Sequence, residues 1–339
     1  MRADAGTPDE RLPADLVLEG GGVRGVGLVG AVAALLERYR PQRVAGTSAG
    51  AVVAALAAAG LDGPGLRAAL ERLDWPRVPD RWAPVPLLAP AAGLLLRSGL
   101  HPGRYLRDWL AAELAALGVR TFGDLRRTDP GDDGRPEQRW SLVVLASDVS
   151  RGRLLRLPWD YHQLGLDPDA QPVADAVRAS AAIPLFFAPS SLRDARTGRR
   201  STVVDGAVLS DFPVEVFDRT DAVPPRWPTF GVGVGDPADA GRDVRLVGGP
   251  LRLVPPLRLL DAVAATAVSG HDRTYLAQPC VRARTFSVDT GGVGLTDFGI
   301  DAAGRAGLVA AGERAAAGFL AGWSWEGYLH GCRGGSAHS

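Results

Sequence analysis

The stretch LVLEGGGVRGVGLVGAVAALLERYRPQRVAGTSAG, residues 16–50, decides the fold class of this chain. A short apolar run at 16–18 enters a glycine-rich turn, and the apolar spacing over 26–40 predicts a helix that stops at Pro41. A second short run at 43–45 leads into GTSAG. This order of strand, turn and helix, met twice, is typical of a parallel sheet covered by helices.

The same alternation continues along the rest of the chain. Further helices are predicted at 49–59, 66–73, 105–117, 173–182, 257–269 and 302–323, and further strands at 140–146, 153–157, 202–204, 229–234 and 281–288. We therefore predict one α/β domain over 14–326, with a mainly parallel central sheet flanked by helices in three layers, between flexible tails at 1–13 and 327–339. The proline-rich segment 74–103 is either a lid or apolar mouth, or a loop packed against the core.

The charge balance excludes several classes of protein. Lys and Arg together number 38, as do Asp and Glu, so the net charge is zero. Nucleic-acid binding by a basic surface is not expected, and neither is simple electrostatic capture by an anionic membrane. The chain contains no lysine, which excludes Walker-A, Schiff-base and S-x-x-K chemistry.

The two cysteines and the first residues bear on the compartment. Cys280 and Cys332 have no metal-ligand or C-x-x-C spacing, so we expect reduced thiols. The polar start MRADAGTPDERLPADL lacks the apolar core of a signal peptide. A cytoplasmic protein is the expectation.

GTSAG at 46–50 supplies a candidate nucleophile. A serine between glycines, on a turn from a strand to a helix, is held in a strained conformation with its hydroxyl exposed. This pattern points to Ser48, and the N–H of Ala49 at the start of the next helix would face a developing oxyanion.

GGGVRG at 20–25 supplies a candidate anion site, because glycine N–H groups ahead of a helix can point into one concavity. Two interpretations compete: a dinucleotide pyrophosphate site and an oxyanion hole. The dinucleotide site needs an acidic residue at the end of the next strand, but that strand runs directly into GTSAG and Asp62 comes too late. The oxyanion interpretation is therefore favoured.

The general base has two candidate types. Ser48 and Asp205 followed by His271 or His330 would match the chain order of an α/β-hydrolase triad. His101, His162 and His338 lie in predicted loops or in the tail, where surface roles are more common. Asp205 ends a predicted strand, at the edge where parallel sheets gather ligands, and burial would raise its pKa toward that of a useful base. A structural Asp-Gly turn is the other interpretation of Asp205.

Taken together, these motifs resemble those of the bacterial patatin-like phospholipases, which carry G-G-G-x-R-G, G-x-S-x-G and D-G-[AG] and use a Ser–Asp dyad. DGA at 205–207 completes the set. The resemblance covers about 14–325 and includes further blocks: GLHPGRYLRDWL and VRTFGDL within 99–125, SLVVLASDVSRGRLLRLP at 141–158, RASAAIPLFF at 178–187 and VGLTDF at 293–298. Asp211 departs from the pattern, since the family often has asparagine there.

The resemblance implies a serine lipid acyl hydrolase of patatin-like fold, with Ser48 as nucleophile and Asp205 as base. It places the oxyanion hole at Gly20, Gly21 and Gly22, with Ala49. Arg24 would contact substrate phosphate or be an ordinary surface arginine. The remaining motif positions are Gly25, Gly46, Gly50, Gly206 and Ala207.

The expected partner is a lipid or acyl ester, with transient contact at a membrane surface, no nucleic acid and no metal or organic cofactor. The oligomeric state, the head group and the ester position are left open. Two alternatives stand beside the hydrolase: a dinucleotide-binding oxidoreductase and a non-catalytic lipid-binding relative.

Overall fold

The computed structural model describes residues 11–82, 98–128, 139–219, 221, 223–235, 255–269 and 276–332. In these ranges a mixed sheet is flanked by helices in three α/β/α layers, as predicted. Residues 83–97 of the candidate lid, His271, His338 and the outer parts of both predicted tails lie outside the described residues.

The elements have the following bounds. The strands are β1 (Leu12–Leu18), β2 (Tyr39–Thr47), β3 (Gly99–His101), β4 (Leu142–Asp148), β5 (Arg153–Leu157), β6 (Leu185–Phe187), β7 (Ser190–Arg193), β8 (Arg200–Asp205), β9 (Thr229–Val234) and β10 (Thr285–Val288). The helices are α1 (Val26–Arg38), α2 (Ala49–Ala58), α3 (Gly63–Arg72), α4 (Arg104–Ala116), α5 (Val173–Ser180), α6 (Pro255–Ser269), α7 (Pro279–Arg282), α8 (Ala302–Gly322) and α9 (Trp325–Cys332).

The main sheet has the strand order β10-β9-β1-β2-β4-β8-β7. Its first five strands pair in parallel, which confirms the parallel centre predicted from the sequence. β8 pairs antiparallel with β4 and β7 with β8, while β5 also pairs antiparallel with β4. β3 and β6 form a separate parallel pair. The carboxyl ends of β1 and β2 therefore meet at one edge of the sheet.

Continuous apolar runs form the centre because parallel strands are covered on both faces. Every residue of β4 is buried, and Leu16, Val17 and Leu18 of β1 are at most 1% exposed. The loops at the carboxyl ends of β1, β2 and β4 therefore start from strands that are packed in the core.

Two segments near the C-terminus differ from the sequence-based expectation. The predicted strand at 281–288 is a short helix, α7, followed by β10, because Pro279 stands at the first turn, where proline favours a helix start. Residues 327–332, expected in a flexible tail, belong to α9. β3, β6 and β7 were not predicted, since three- and four-residue strands carry too little periodicity.

The expectation of reduced thiols is wrong. Cys280 in α7 and Cys332 in α9 form a disulfide. The two residues are 52 positions apart, so spacing gave no sign of the pairing. The bond ties the C-terminal helix to the segment that enters β10.

None of the helices in the described part of the chain combines the length and the apolar composition needed to cross a bilayer.

Candidate active site

Ser48 lies on a sharp turn between β2 and α2. Its backbone has φ 53° and ψ −120°, a left-handed conformation that a residue with a side chain rarely adopts. The residue is 4% exposed. The strained turn that the sequence predicts for GTSAG is therefore present, but the exposure predicted for the serine is wrong, because the residue is buried.

The flanking glycines permit this turn by close backbone contact. A Cβ atom at Gly46 would lie 2.4 Å from the carbonyl oxygen of Gly50, and one at Gly50 would lie 2.4 Å from the carbonyl oxygen of Leu18. Gly25 is equally confined, since its Cβ would lie 2.6 Å from that of Ala49. The elbow consequently packs directly against the end of β1 and the glycine turn.

Asp205, at the end of β8, lies beside Ser48. The Ser48 hydroxyl donates a hydrogen bond of 2.7 Å to Oδ2 of Asp205. The other oxygen, Oδ1, accepts the N–H of Ala207 at 3.0 Å. The carboxyl is fully buried, and burial raises its pKa to about 7 against the opposing effect of these two hydrogen bonds. A group of this kind can take up a proton near neutral pH.

Ser180 is a site residue that the sequence analysis missed. Its hydroxyl accepts the N–H of Ser48 at 2.8 Å and donates to the carbonyl oxygen of Leu145 at 2.5 Å. Ser180 is fully buried at the end of α5 and links the elbow to β4. A polar residue in the alanine-rich block RASAAIPLFF was the available signal.

The glycine turn lies next to the elbow, and its N–H groups are not equivalent. Gly20 donates its N–H to Oδ1 of Asp211 at 2.9 Å, and Val23 donates to the carbonyl oxygen of Leu295 at 3.0 Å. The N–H groups of Gly21 and Gly22 have no acceptor within the described residues. Gly22 has φ +54°, and a Cβ there would lie 2.0 Å from the Leu295 oxygen, so only glycine fits.

An apolar cavity opens from Ser48. The cavity is partly open to solvent, and Ser48 lines it together with aliphatic and aromatic side chains. These walls include Leu56, Leu66, Trp75, Val78, Leu106, Phe187 and Phe298. Trp75 and Val78 belong to the segment 74–103, for which an apolar mouth was one of the predictions.

The remaining candidates lie apart from this cavity. Arg24 is half-buried next to the glycine turn and does not line the cavity; its Nε is buried without a hydrogen-bond partner in the described ranges. His101 and His162 contact the carbonyl oxygens of Asp80 and Trp159. His330 belongs to α9. Among the described histidines, none hydrogen-bonds to Ser48 or Asp205.

Comparison with known proteins shows which family the chain belongs to. A model of the patatin-like phospholipase family matches residues 16–218, which is more than half of the chain and includes all three motifs. The chain belongs to the patatin-like phospholipase family. Membership supports a lipid hydrolase, so the dinucleotide-binding oxidoreductase is not retained.

This patatin-like phospholipase also has similar proteins of known sequence or structure. The uncharacterized protein YqhO of Bacillus subtilis is 35% identical over 92% of this chain and 99% of its own length. VipD from Legionella pneumophila has a TM-score of 0.50 at 18% identity, covering 93% of this chain and 67% of VipD, which shows a shared fold. ExoU of Pseudomonas aeruginosa, in complex with SpcU, gives a TM-score of 0.48 at 19% identity, and this chain spans 53% of its length.

The site of this patatin-like phospholipase extends beyond the matched residues. Leu295 and Phe298, in the block VGLTDF, lie outside 16–218. Yet the Leu295 carbonyl contacts the glycine turn and Phe298 lines the cavity. The C-terminal third thus completes the site.

Proposed function

We propose that this chain is a serine lipid acyl hydrolase that cleaves carboxylic esters through an acyl-Ser48 intermediate. The observation that carries the proposal is the 2.7 Å hydrogen bond from Ser48 Oγ to the buried carboxylate of Asp205, beside an apolar cavity. A nucleophile within hydrogen-bond reach of its base is the arrangement that covalent catalysis needs.

In the first half-reaction, Oγ of Ser48 attacks the acyl carbonyl while its proton passes to Asp205. The tetrahedral intermediate then collapses, and the C–O bond to the leaving alcohol breaks as Asp205 returns the proton to that oxygen. In the second half-reaction, water loses a proton to Asp205, attacks the acyl-serine and releases the fatty acid. Ser48 regains its hydrogen at the end.

Backbone N–H groups would stabilise the oxyanion that forms in both steps. Because the Gly20 N–H is engaged by Asp211, we assign the donors to Gly21, Gly22 and Ala49. Ala49 is the first residue of α2, whose positive end favours negative charge at this point. One such donor is typically worth about 2.7–4 kcal/mol in the transition state.

The cavity would hold the acyl chain. Its aliphatic and aromatic walls favour a fatty acyl group, with the carbonyl carbon at Ser48 and the chain running toward Trp75 and Val78. Arg24, which lies beside the glycine turn, is proposed to attract a phosphate of the head group. The enzyme would meet such substrates by transient contact with a lipid surface.

The decisive test is Ser48→Ala. We expect it to abolish hydrolysis of a p-nitrophenyl acyl ester and covalent labelling by a fluorophosphonate probe, since the attacking oxygen is gone. Ser191→Ala, a matched change at an exposed serine of β7, should leave both intact.

Persistent labelling of a folded Ser48→Ala protein would contradict the assignment. A wild-type protein that binds lipid but shows neither labelling nor turnover would support the non-catalytic alternative.

A further inference from the structure

Asp211 occupies a defined position beside the elbow. It lies in SDFPVEVF, the segment that follows the DGA motif, and its Oδ1 accepts the N–H of Gly20 at 2.9 Å. Its neighbour Phe212 is 2% exposed, and the Phe212 ring lies close to Gly231 and Gly233 of β9. Burial of Phe212 therefore fixes the position of the segment that carries Asp211.

The space around Gly20 is too confined for a side chain. A Cβ atom on Gly20 would lie 2.2 Å from Oδ1 of Asp211 and 3.2 Å from Cβ of Ser48. Gly20 is thus held between the carboxylate and the nucleophile, and any shift of its backbone would move the turn relative to Ser48.

Hydrogen bonds hold the glycine turn at both ends, whereas the two N–H groups between them make none within the described residues. Gly20 is bound to the Asp211 side chain, and Val23 is bound to the Leu295 carbonyl oxygen. Between them, the N–H groups of Gly21 and Gly22 have no acceptor in the described part of the chain. The Gly21 and Gly22 N–H groups, held between two hydrogen-bonded residues, therefore form a preorganised pair of donors for a substrate oxygen.

We propose that Asp211 is a positioning residue of the hydrolase: by binding the Gly20 N–H it aims the Gly21 and Gly22 N–H groups at the substrate carbonyl oxygen. This inference rests on the proposed function. Asp211 touches no reacting atom and acts through the backbone of the turn.

The chemistry of the side chain makes the inference testable. The contact needs an acceptor oxygen at Oδ1, which an asparagine also supplies. We therefore assign the role to the acceptor oxygen of residue 211.

The experiment compares Asp211→Ala with Asp211→Asn in ester hydrolysis. In Asp211→Ala we expect kcat to fall by about 10²-fold with KM unchanged. Misplaced donors stabilise the oxyanion of the transition state less well, whereas they contribute little to binding of the substrate. Asp211→Asn should keep the wild-type kcat, because the asparagine supplies the same acceptor oxygen. The midpoint of the pH profile should stay in place in both, since Asp205 is untouched.

Asp301→Ala is the matched control. Asp301 also accepts a glycine N–H, that of Gly304 at 2.7 Å, but it caps α8 outside the site. We expect its kcat to equal that of wild type. A purely structural effect of losing an Asp–Gly hydrogen bond would appear in both alanine variants.

The outcomes separate the inference from the proposed function. A folded Asp211→Ala enzyme with wild-type kcat, or an Asp211→Asn enzyme as slow as Asp211→Ala, would overturn the role of Asp211 while leaving Ser48 in place. Activity retained in Ser48→Ala would instead overturn the function itself. If Asp211→Ala does not fold, Asp211→Glu, which displaces the acceptor by one methylene, should show the same selective loss of kcat, and wild-type kcat there would overturn the inference.

Discussion

Asp205 is a carboxyl whose environment suits proton transfer near neutral pH. Burial raises its pKa to about 7 from an ordinary value of 3.8. Only the ionised form can accept the Ser48 proton. The pH dependence of the reaction should therefore follow this one group.

We expect kcat/KM for a neutral ester to rise with pH and to level off above about 7, because that plateau marks full ionisation of Asp205 in the free enzyme. Initial rates between pH 5 and pH 9, with protein stability checked at each value, would measure it. A rate that is already maximal at pH 5 would mean that the carboxyl keeps its ordinary pKa.

The same raised pKa links Asp205 to stability. The native carboxyl keeps its proton between pH 3.8 and about 7, whereas the unfolded one does not. Below pH 3.8 the buried, protonated carboxyl makes its full favourable contribution to the free energy of unfolding. This contribution decreases as the pH rises from 3.8, and it is lost once the pH passes about 7. Above that value the fold carries a buried charge.

Asp205→Asn should consequently be inactive but more stable than wild type at alkaline pH. The gain should grow from pH 4 to pH 7 and reach at most about 4 kcal/mol, the equivalent of the pKa shift. Urea unfolding at pH 5 and pH 8.5 would measure it, with Asp301→Asn as the control. An equal difference between Asp205→Asn and wild type at both pH values would contradict the linkage.

At the scale of elements, the elbow depends on backbone contacts that glycine alone allows. A Cβ at Gly50 would lie 2.4 Å from the Leu18 carbonyl oxygen, in β1. Gly307 in α8 is the opposite case, because nothing lies within 4 Å of its Cβ position. Substitution of Gly50 therefore tests close packing of the elbow, whereas substitution of Gly307 tests helix propensity alone.

Gly50→Ala should lower the free energy of unfolding by about 1–3 kcal/mol and weaken fluorophosphonate labelling, since the elbow must move away from β1. Gly307→Ala should instead raise stability by up to about 1 kcal/mol with labelling unchanged. Chemical denaturation and labelling rates would measure both. A neutral Gly50→Ala would show that the elbow tolerates displacement.

Sequence reasoning succeeded where one element carries its own signal. The runs ending at Leu18 and Ala45 and the motif GTSAG predicted β1, β2 and the elbow, because periodicity and glycine placement are local properties. Asp205 was placed at the end of its strand for the same reason. The contacts of Ser180, Asp211 and Leu295 with the elbow and the glycine turn could not be predicted, since each joins segments far apart in the chain.

At the scale of the whole molecule, the disulfide joins two helices at the C-terminal end. Tyr328 of α9 lines a cleft with Asp15 and Arg43, which precede the carboxyl ends of β1 and β2. Ser48 follows the carboxyl end of β2. Because α7 leads into the amino end of β10, which runs parallel to β9, β1 and β2, the bond lies toward the opposite edge of the sheet from Ser48.

The double variant Cys280→Ser/Cys332→Ser should lose about 2–4 kcal/mol of stability, because the unfolded chain gains freedom. Its kcat should match that of wild type. Unfolding with and without dithiothreitol would measure the effect, and the reductant should not change the double variant. Equal stability of wild type in both conditions would contradict a stabilising bond.

The strand order has a consequence for synthesis on the ribosome. β1 is made first but lies between β2 and β9, and β9 ends at Val234. Until that late strand emerges, one side of β1 presents unpaired N–H and C=O groups, a template for association with other chains. During translation of most of the sequence, the exposed edge of β1 must therefore be kept from pairing with other chains, for example by a chaperone.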